Sequence, residues 1–169
     1  MFSQKYIILG IGNVLLSDEG VGVKVVQDLK AQYNFPEGVE LIDGGVGSFS
    51  LLSYIESAKK LIVVDAISGG GPPGTIYKFK IYKFKDKNIP YHIIEKISLH
   101  EISFSDILNL AKLRDKYPEE TVIIGIEPHS LEFKIGLTEI VEKNYNKLLN
   151  EVLDQLKEWG IQPKPKNIT

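Results

Sequence analysis

Short apolar runs alternate along this chain with longer stretches whose apolar residues recur at helical spacing. The runs predict buried strands at Tyr6–Leu9, Val39–Ile42, Leu61–Val64 and Val122–Ile126. The stretches with helical spacing lie at residues 20–32, 48–57, 103–114 and 138–160. Thr138 and Gly160 are predicted to begin and end the last helix. This alternation favours one α/β domain in which helices cover both faces of a mostly parallel sheet.

A further segment, Thr75–Phe84, combines aromatic residues with lysines and predicts an antiparallel strand at the sheet edge, where Lys discourages unwanted pairing. The predicted fold class is therefore a three-layer α/β/α domain, with a mostly parallel, twisted sheet of about five strands and an antiparallel edge strand. Residues 1–160 form this single domain, and the tail, residues 161–169, is predicted to fray. Ser17 or Asp18 is the expected N-cap of the first helix.

The composition excludes several classes of protein. Among 169 residues, 22 Asp and Glu offset 20 Lys and Arg, so the chain lacks the strongly basic balance typical of nucleic-acid binding. The absence of Cys excludes disulfides, thiolate metal sites and a Cys nucleophile. The apolar runs are far shorter than the roughly 18 residues that span a bilayer, and the first residues lack a signal-peptide pattern. We therefore expect a cytoplasmic protein that binds neither nucleic acid nor membrane.

Acidic residues follow three of the predicted strands. Glu19 lies beyond the first strand, Asp43 directly follows the second, and Asp65 directly follows the third. In open parallel sheets the ligand crevice lies outside the carboxyl ends of the strands, so these carboxylates are candidates for one site. Simpler explanations also exist, because an acid in a first turn offsets a helix dipole and an Asp at a strand end often forms a turn.

The chain has three histidines, His92, His100 and His129. Taken singly, each is explained as a structural or solvated residue. Taken with Glu19 and Asp65, His100 completes a set of two carboxylates and one imidazole, which suits nickel or zinc. Ligands from scattered segments have no diagnostic spacing. The sequence also contains neither H-E-x-x-H nor G-x-S-x-G, so zincin and α/β-hydrolase chemistry lack their motifs.

A glycine pair, Gly10 and Gly12, follows the first strand and raises the alternative of a nucleotide-binding loop. The dinucleotide pattern G-x-G-x-x-G requires a third glycine where this chain has Leu15. Asp18 and Glu19 would also place negative charge against a pyrophosphate at the start of the helix. A tight turn from strand to helix is the simpler explanation of the two glycines.

Five blocks of sequence occur in a characteristic order: GIGNVLLSDEGVG (10–22), LIDGG (41–45), LIVVDA (61–66) followed by PG (73–74), SLH (98–100) and IGIEP (124–128). In these blocks the chain resembles the maturation endopeptidases of nickel–iron hydrogenases, over most of its length. The resemblance implies a twisted sheet of about five strands between helices. It also implies an endopeptidase that removes a C-terminal extension from the hydrogenase large-subunit precursor after nickel insertion, with the bound nickel as the recognition element.

The same resemblance implies roles for individual residues. In the family, the residues that match Glu19, Asp65 and His100 contact metal, and the acid that matches Asp43 serves substrate recognition or cleavage. These four residues are therefore the expected catalytic set of a protease with an aspartyl-type resemblance, and the first three are the expected metal ligands. The nickel is carried by the precursor and is not necessarily resident in the enzyme. Many relatives have Asp at the position of Glu19, and His129 matches no family role.

A non-cleaving alternative also fits the sequence. The same three ligands would serve a nickel-binding delivery or checkpoint module that recognises the loaded precursor without cutting it. The Gly69–Gly74 loop suits opening to admit an extended peptide, and the edge strand at 75–84 suits pairing with that peptide by strand addition. A plain surface loop and a Lys-protected edge explain these two segments equally well.

Overall fold

A computed structural model describes residues 5–47, 49–83 and 104–167 of the chain. In chain order its elements are β1 (Lys5–Gly10), α1 (Val21–Gln32), β2 (Tyr33–Asn34), β3 (Val39–Asp43), α2 (Leu52–Ser57), β4 (Ala58–Ala66), β5 (Ile76–Tyr82), α3 (Phe104–Leu113), β6 (Glu120–Ile126), α4 (Glu139–Glu158) and β7 (Lys164–Pro165). Short 3₁₀ turns at Ser17–Gly20 and Phe49–Leu51 precede α1 and α2. The predicted strands and helices of the described segments are thus present.

The main sheet has five strands in the order β3-β1-β4-β6-β5. The first four are parallel to one another, whereas β5 runs antiparallel to β6 at the edge. This arrangement confirms the predicted fold class, including the antiparallel edge strand. Because the parallel strands share one direction, the ends of β1, β3, β4 and β6 lie along a single edge of the sheet, which we call the carboxyl edge.

Both faces of the sheet are buried. On one face, Leu9 and Val63 pack with residues of α2 and α3, and on the other face Ile8 and Val64 pack with residues of α1 and α4. Successive side chains of a strand point to opposite faces, so a strand buried on both faces must be apolar throughout. Each fully buried Ile or Leu side chain contributes about 1.5–3 kcal/mol through the hydrophobic effect.

Helix α1 lies unusually close to the sheet through two glycines. A Cβ on Gly22 would lie 2.1 Å from the Val64 carbonyl oxygen, and a Cβ on Gly10 would lie 2.2 Å from the Gly22 carbonyl oxygen. No side chain larger than hydrogen fits at either position without movement of the backbone. This close contact presses the start of α1, and the acidic turn before it, against the ends of β1 and β4.

Residues 161–166 contact the body of the domain. Lys164 and Pro165 pair antiparallel with β2, Ile161 is buried, and the Lys166 N–H donates to the Gln32 carbonyl at 2.7 Å. Ile161 packs with the α1–α4 side of the core and places the segment beside β2, while the fraying predicted for residues 161–169 stays a prediction. Proline is tolerated in so short a strand because it needs few ladder hydrogen bonds.

Among the described residues, no helix combines the length and the apolar character needed to cross a bilayer.

Candidate active site

Asp65 is the penultimate residue of β4 and lies at the carboxyl edge with only 2% of its surface exposed. The Ala66 N–H donates to its Oδ1 at 2.8 Å. Burial raises the pKa of the Asp65 carboxyl well above its usual range, the Ala66 hydrogen bond lowers it, and the negative charge of Glu19 raises it. A buried carboxyl with a second acid nearby is the kind of group that is found at functional sites.

Glu19 comes from the 3₁₀ turn before α1 and is 5% exposed. The turn is held against the end of β1, because a Cβ on Gly12 would lie 1.8 Å from the Glu19 carbonyl oxygen. Gly12 also has a φ of +144°, which side-chain-bearing residues rarely adopt. Glu19 also lies near enough to Asp65 for its negative charge to act on the Asp65 carboxyl, while the predicted roles of both residues stay predictions. The structure assigns the glycine pair to chain packing, since the space at Gly12 is filled by the turn itself.

Asp18, beside Glu19, is fully buried and accepts four hydrogen bonds from one distant segment. Its Oδ2 accepts from the N–H groups of His129 and Ser130 at 2.9 and 3.1 Å and from the Thr138 hydroxyl at 2.8 Å. Its Oδ1 accepts from the Thr138 N–H at 2.7 Å. Asp18 thus joins the Glu19 turn to residues 129–138.

These contacts correct the expected helix caps. Gly20, rather than Ser17 or Asp18, occupies the N-cap position of α1, and no side chain caps that helix. Thr138 is the N-cap of α4 as predicted, but its hydroxyl donates to Asp18 instead of capping the helix. Ser17 has a φ of +51°, a strained conformation for a non-glycine residue that its N–H bond to the Lys134 carbonyl helps to hold.

Asp43 ends β3 at the same edge but is exposed. Its Oδ1 accepts from the Gly45 N–H at 3.0 Å, and its Oδ2 accepts from the Gln27 amide at 3.3 Å. Asp43 lines a cavity of about 260 Å³ together with Gly12, Asn13, Val14, Leu15, Val23, Gln27, Gly45 and Val46. This cavity lies directly beside the Glu19 turn, because Gly12 is common to both.

His100 and His92 lie outside the described residues. Within residues 5–47, 49–83 and 104–167, no three His, Asp or Glu side chains converge on a common point. His129 is exposed, and its backbone N–H belongs to the Asp18 contacts. Two of the three predicted metal ligands, Glu19 and Asp65, thus lie near each other, and the metal-binding role of all three stays a prediction.

Another buried carboxylate, that of Glu127, organises the Gly69–Gly74 loop after β4. Its Oε2 accepts from the Gly69 N–H and the Tyr77 hydroxyl, both at 2.7 Å, and the Tyr77 oxygen accepts from the Gly71 N–H at 3.0 Å. Burial and the hydrogen bond to Glu127 raise the pKa of the Tyr77 hydroxyl, and the Gly71 hydrogen bond lowers it. In this structure the loop is therefore held closed against the end of β6.

Sequence reasoning missed Asp18 and Glu127 as organising residues. The only local signal for Asp18 is its position beside Glu19 in the D-E-G block, and Glu127 has a comparable position before Pro128. Asp18 lies in a turn before a helix and Glu127 follows a strand. Solvated carboxylates are also common at both kinds of position, so the sequence does not mark these two acids as buried. Their partners lie 50 to 120 residues away in sequence, so their burial depends on the tertiary fold.

Comparisons with known proteins agree with this arrangement. The family model for hydrogenase maturation proteases matches residues 23–155. The hydrogenase 2 maturation protease of Escherichia coli (strain K12) is 35% identical over 164 residues, which cover 96% of this chain and 97% of that protein. The hydrogenase expression/formation protein HoxM of Azotobacter vinelandii is 39% identical over 163 residues, covering 95% of this chain and 76% of that protein.

A solved structure agrees as well. The hydrogenase maturating endopeptidase HybD from E. coli has a TM-score of 0.86 and 34% sequence identity, covering 96% of this chain and 98% of that one. The chain therefore belongs to the hydrogenase maturation protease family. It is an endopeptidase, a peptide hydrolase that acts in hydrogenase maturation. The predicted resemblance is confirmed, and this membership favours neither a non-cleaving module nor a nucleotide-binding protein.

Proposed function

We propose that this protein removes a C-terminal extension from the large-subunit precursor of a nickel–iron hydrogenase after nickel has been inserted. Nickel bound to the precursor is recognised by Glu19, Asp65 and His100 and marks the substrate as ready for cleavage. The observation that carries this proposal is the pair of buried carboxylates, Glu19 and Asp65, at the carboxyl edge of a protease-family fold.

Charge compensation supports the metal in this proposal. Burial and the negative charge of Glu19 both disfavour the ionised form of Asp65. A divalent cation between the two carboxylates offsets both effects, and carboxylate and imidazole ligands suit nickel. Because the cation arrives with the substrate, the site is complete only when a loaded precursor is bound.

Asp43 has a different place in the proposal. It is exposed at the wall of the cavity beside the Glu19 turn, where an extended peptide leaving the metal would pass. We assign it to recognition of that peptide or to its cleavage. The bound metal would orient the scissile carbonyl, polarise it or activate water, which are the established ways in which metals assist hydrolysis.

Intact-mass analysis of a purified large-subunit precursor, mixed with this protein with and without nickel loading, tests the proposal. We expect loss of one defined C-terminal peptide from the nickel-loaded precursor alone. Glu19→Gln, Asp65→Asn and His100→Ala should each lower the cleavage rate by at least about a hundredfold while thermal unfolding shows a folded protein. Asp154→Asn, on the exposed face of α4, is the matched control and should cleave normally.

Three results would contradict parts of the proposal. Full activity in any two of the three variants would overturn the assignment of the site. Equal cleavage of the precursor with and without nickel would overturn metal recognition. Tight binding of the loaded precursor without any loss of mass would instead support the non-cleaving checkpoint module.

A further inference from the structure

Large apolar side chains are exposed beside the candidate active site. They belong to three separate segments that meet at the carboxyl edge, and we call them the apolar ridge: Val14, Leu15, Val46, Phe133 and Ile135. Phe133 and Ile135 are 80% and 77% exposed. Exposed apolar side chains that gather in one patch often mark a surface that binds another molecule.

Backbone pairing brings two of the segments together. The Lys134 N–H donates to the Leu15 carbonyl at 2.9 Å, and the Ser17 N–H donates to the Lys134 carbonyl at 2.7 Å. Leu16 and Lys134 form a parallel bridge at this point. The bridge therefore places Leu15 directly beside the segment that carries Phe133 and Ile135.

The ridge is held in place from beneath. Asp18, fully buried, anchors the segment through the backbone of His129 and Ser130 before Phe133 and through Thr138 after Ile135. A surface fixed in this way loses little conformational freedom when a partner binds, so its buried area contributes more fully to affinity.

The ridge is continuous with the substrate site. Val14, Leu15 and Val46 line the same cavity as Asp43, and the Glu19 N–H donates to the Leu16 carbonyl at 3.1 Å. The cleft of an endopeptidase is the place where its polypeptide substrate lies. A surface that extends from this cleft over the paired segments therefore lies where the folded body of that substrate comes closest to the enzyme.

We propose that the apolar ridge is the docking surface for the folded body of the hydrogenase precursor, which meets it with an apolar patch of its own. This inference rests on the proposed function and adds a second contact, separate from the metal and the cleaved peptide. Exposed aromatic and aliphatic side chains on a fixed loop are the kind of residues that dominate binding energy at protein interfaces. The charges that flank Phe133 and Ile135, Glu132 and Lys134, are opposite, so docking should depend little on salt.

The test compares cleavage kinetics of the full-length protein on the purified nickel-loaded precursor. In the double variant Phe133→Ser/Ile135→Ser we expect KM to rise at least about tenfold while kcat changes less than twofold, because both side chains are largely exposed and neither belongs to the proposed catalytic set. The control is Leu113→Ser, since Leu113 is 85% exposed at the end of α3, near the opposite edge of the sheet. Its KM should equal that of the wild type.

Each outcome decides the proposal. An unchanged KM in the double variant, with a wild-type enzyme that cleaves, would overturn the docking surface and leave the proposed function intact. If the wild type does not cleave, sedimentation measures binding of the precursor to the wild type and to the double variant. Binding by the wild type that the double variant has lost would support the docking surface. Equal binding by the two proteins, or binding by neither, would overturn it. If the wild type self-associates, the double variant does not, and KM is unchanged, then the apolar ridge binds a second copy of this chain and the docking proposal is overturned.

Discussion

Asp18 and Glu127 are buried carboxylates that act through the segments they hold. Asp18 joins the Glu19 turn to residues 129–138, and Glu127 with Tyr77 closes the Gly69–Gly74 loop after Asp65. Each accepts hydrogen bonds from backbone N–H groups that would otherwise be left without partners away from water. Such bonds are worth more than their average value, because losing the acceptor leaves buried donors unsatisfied. These two acids therefore fix the backbone on both sides of the candidate ligands.

At the residue scale, Asp18→Asn should lower the free energy of unfolding by at least about 2 kcal/mol. An amide has one accepting oxygen, and its NH₂ group would face N–H donors where Asp18 has its second carboxylate oxygen. The urea midpoint at neutral pH measures the change. Asp154→Asn is the matched control and should unfold within about 0.5 kcal/mol of the wild type. Equal midpoints for the two variants would show that the four hydrogen bonds of Asp18 contribute nothing to stability.

At the scale of elements, α1 and α4 are joined on one face of the sheet by Tyr145 and Asp28. The Tyr145 hydroxyl donates to Asp28 Oδ2 at 2.5 Å, and Lys24 pairs with the same oxygen at 2.8 Å. Burial raises the pKa of Tyr145 well above its usual value, and the hydrogen bond to Asp28 raises it further. The neutral phenol is therefore the form that the folded protein favours.

This contact predicts a pH dependence. Because the pKa of Tyr145 is raised in the folded state, its contribution to stability is complete below the unfolded pKa, about 10, and falls as pH rises above it. The wild type should therefore be more stable than Tyr145→Phe at pH 7 to 9, and this advantage should shrink at pH 11. Urea unfolding of both proteins at each pH measures it. A difference that stays constant up to pH 11 would contradict the prediction.

Helix α4 carries one polar residue on its buried face, Gln155. Its side chain is fully buried, and among the described residues neither its amide nitrogen nor its oxygen has a hydrogen-bond partner. Gln155→Leu removes two unsatisfied polar atoms and should raise the free energy of unfolding by about 1–2 kcal/mol. Thermal unfolding measures the gain, with the exposed Asn150→Leu as control. A lower melting temperature for Gln155→Leu alone would indicate that the amide is satisfied by water.

At the scale of the whole molecule, the sheet separates two ends with different roles. The acids, the cavity and the apolar ridge gather at the carboxyl edge, whereas the β2–β7 pair follows the far end of α1. No residue of the β2–β7 pair lines the cavity or belongs to the buried acids or the apolar ridge. Stability and cleavage should therefore respond independently to changes at the two ends.

Deletion of residues 162–169 tests this separation. The deletion removes the pairing of β7 with β2 and the two hydrogen bonds of Lys166 to the end of α1, but keeps the buried Ile161. We expect a loss of about 1–2 kcal/mol, which corresponds to a fall of about 2–8 °C in Tm. The kcat/KM for precursor cleavage should stay within twofold of the wild type. A large loss of cleavage by a folded truncated protein would show that the tail takes part in the site.

The sequence by itself determined the five strands of the main sheet, the helices, the sheet class and the approach of Glu19 and Asp65, but not the short β2–β7 pair. Apolar periodicity and residues that end strands are local properties, and in parallel sheets the strand ends gather along one edge. The family motifs added the expected role of Asp43 and of His100, which lies outside the described residues.

Only the tertiary structure decided which acids are buried and what they hold. Asp18 was expected to cap α1, yet its four hydrogen bonds go to residues more than a hundred positions away, because the close Gly10–Gly22 contact presses its turn inward. The burial of Ile161 and the pairing of β7 with β2 have the same origin. In each case the deciding contacts join segments far apart in sequence, and a local pattern carries no information about such partners.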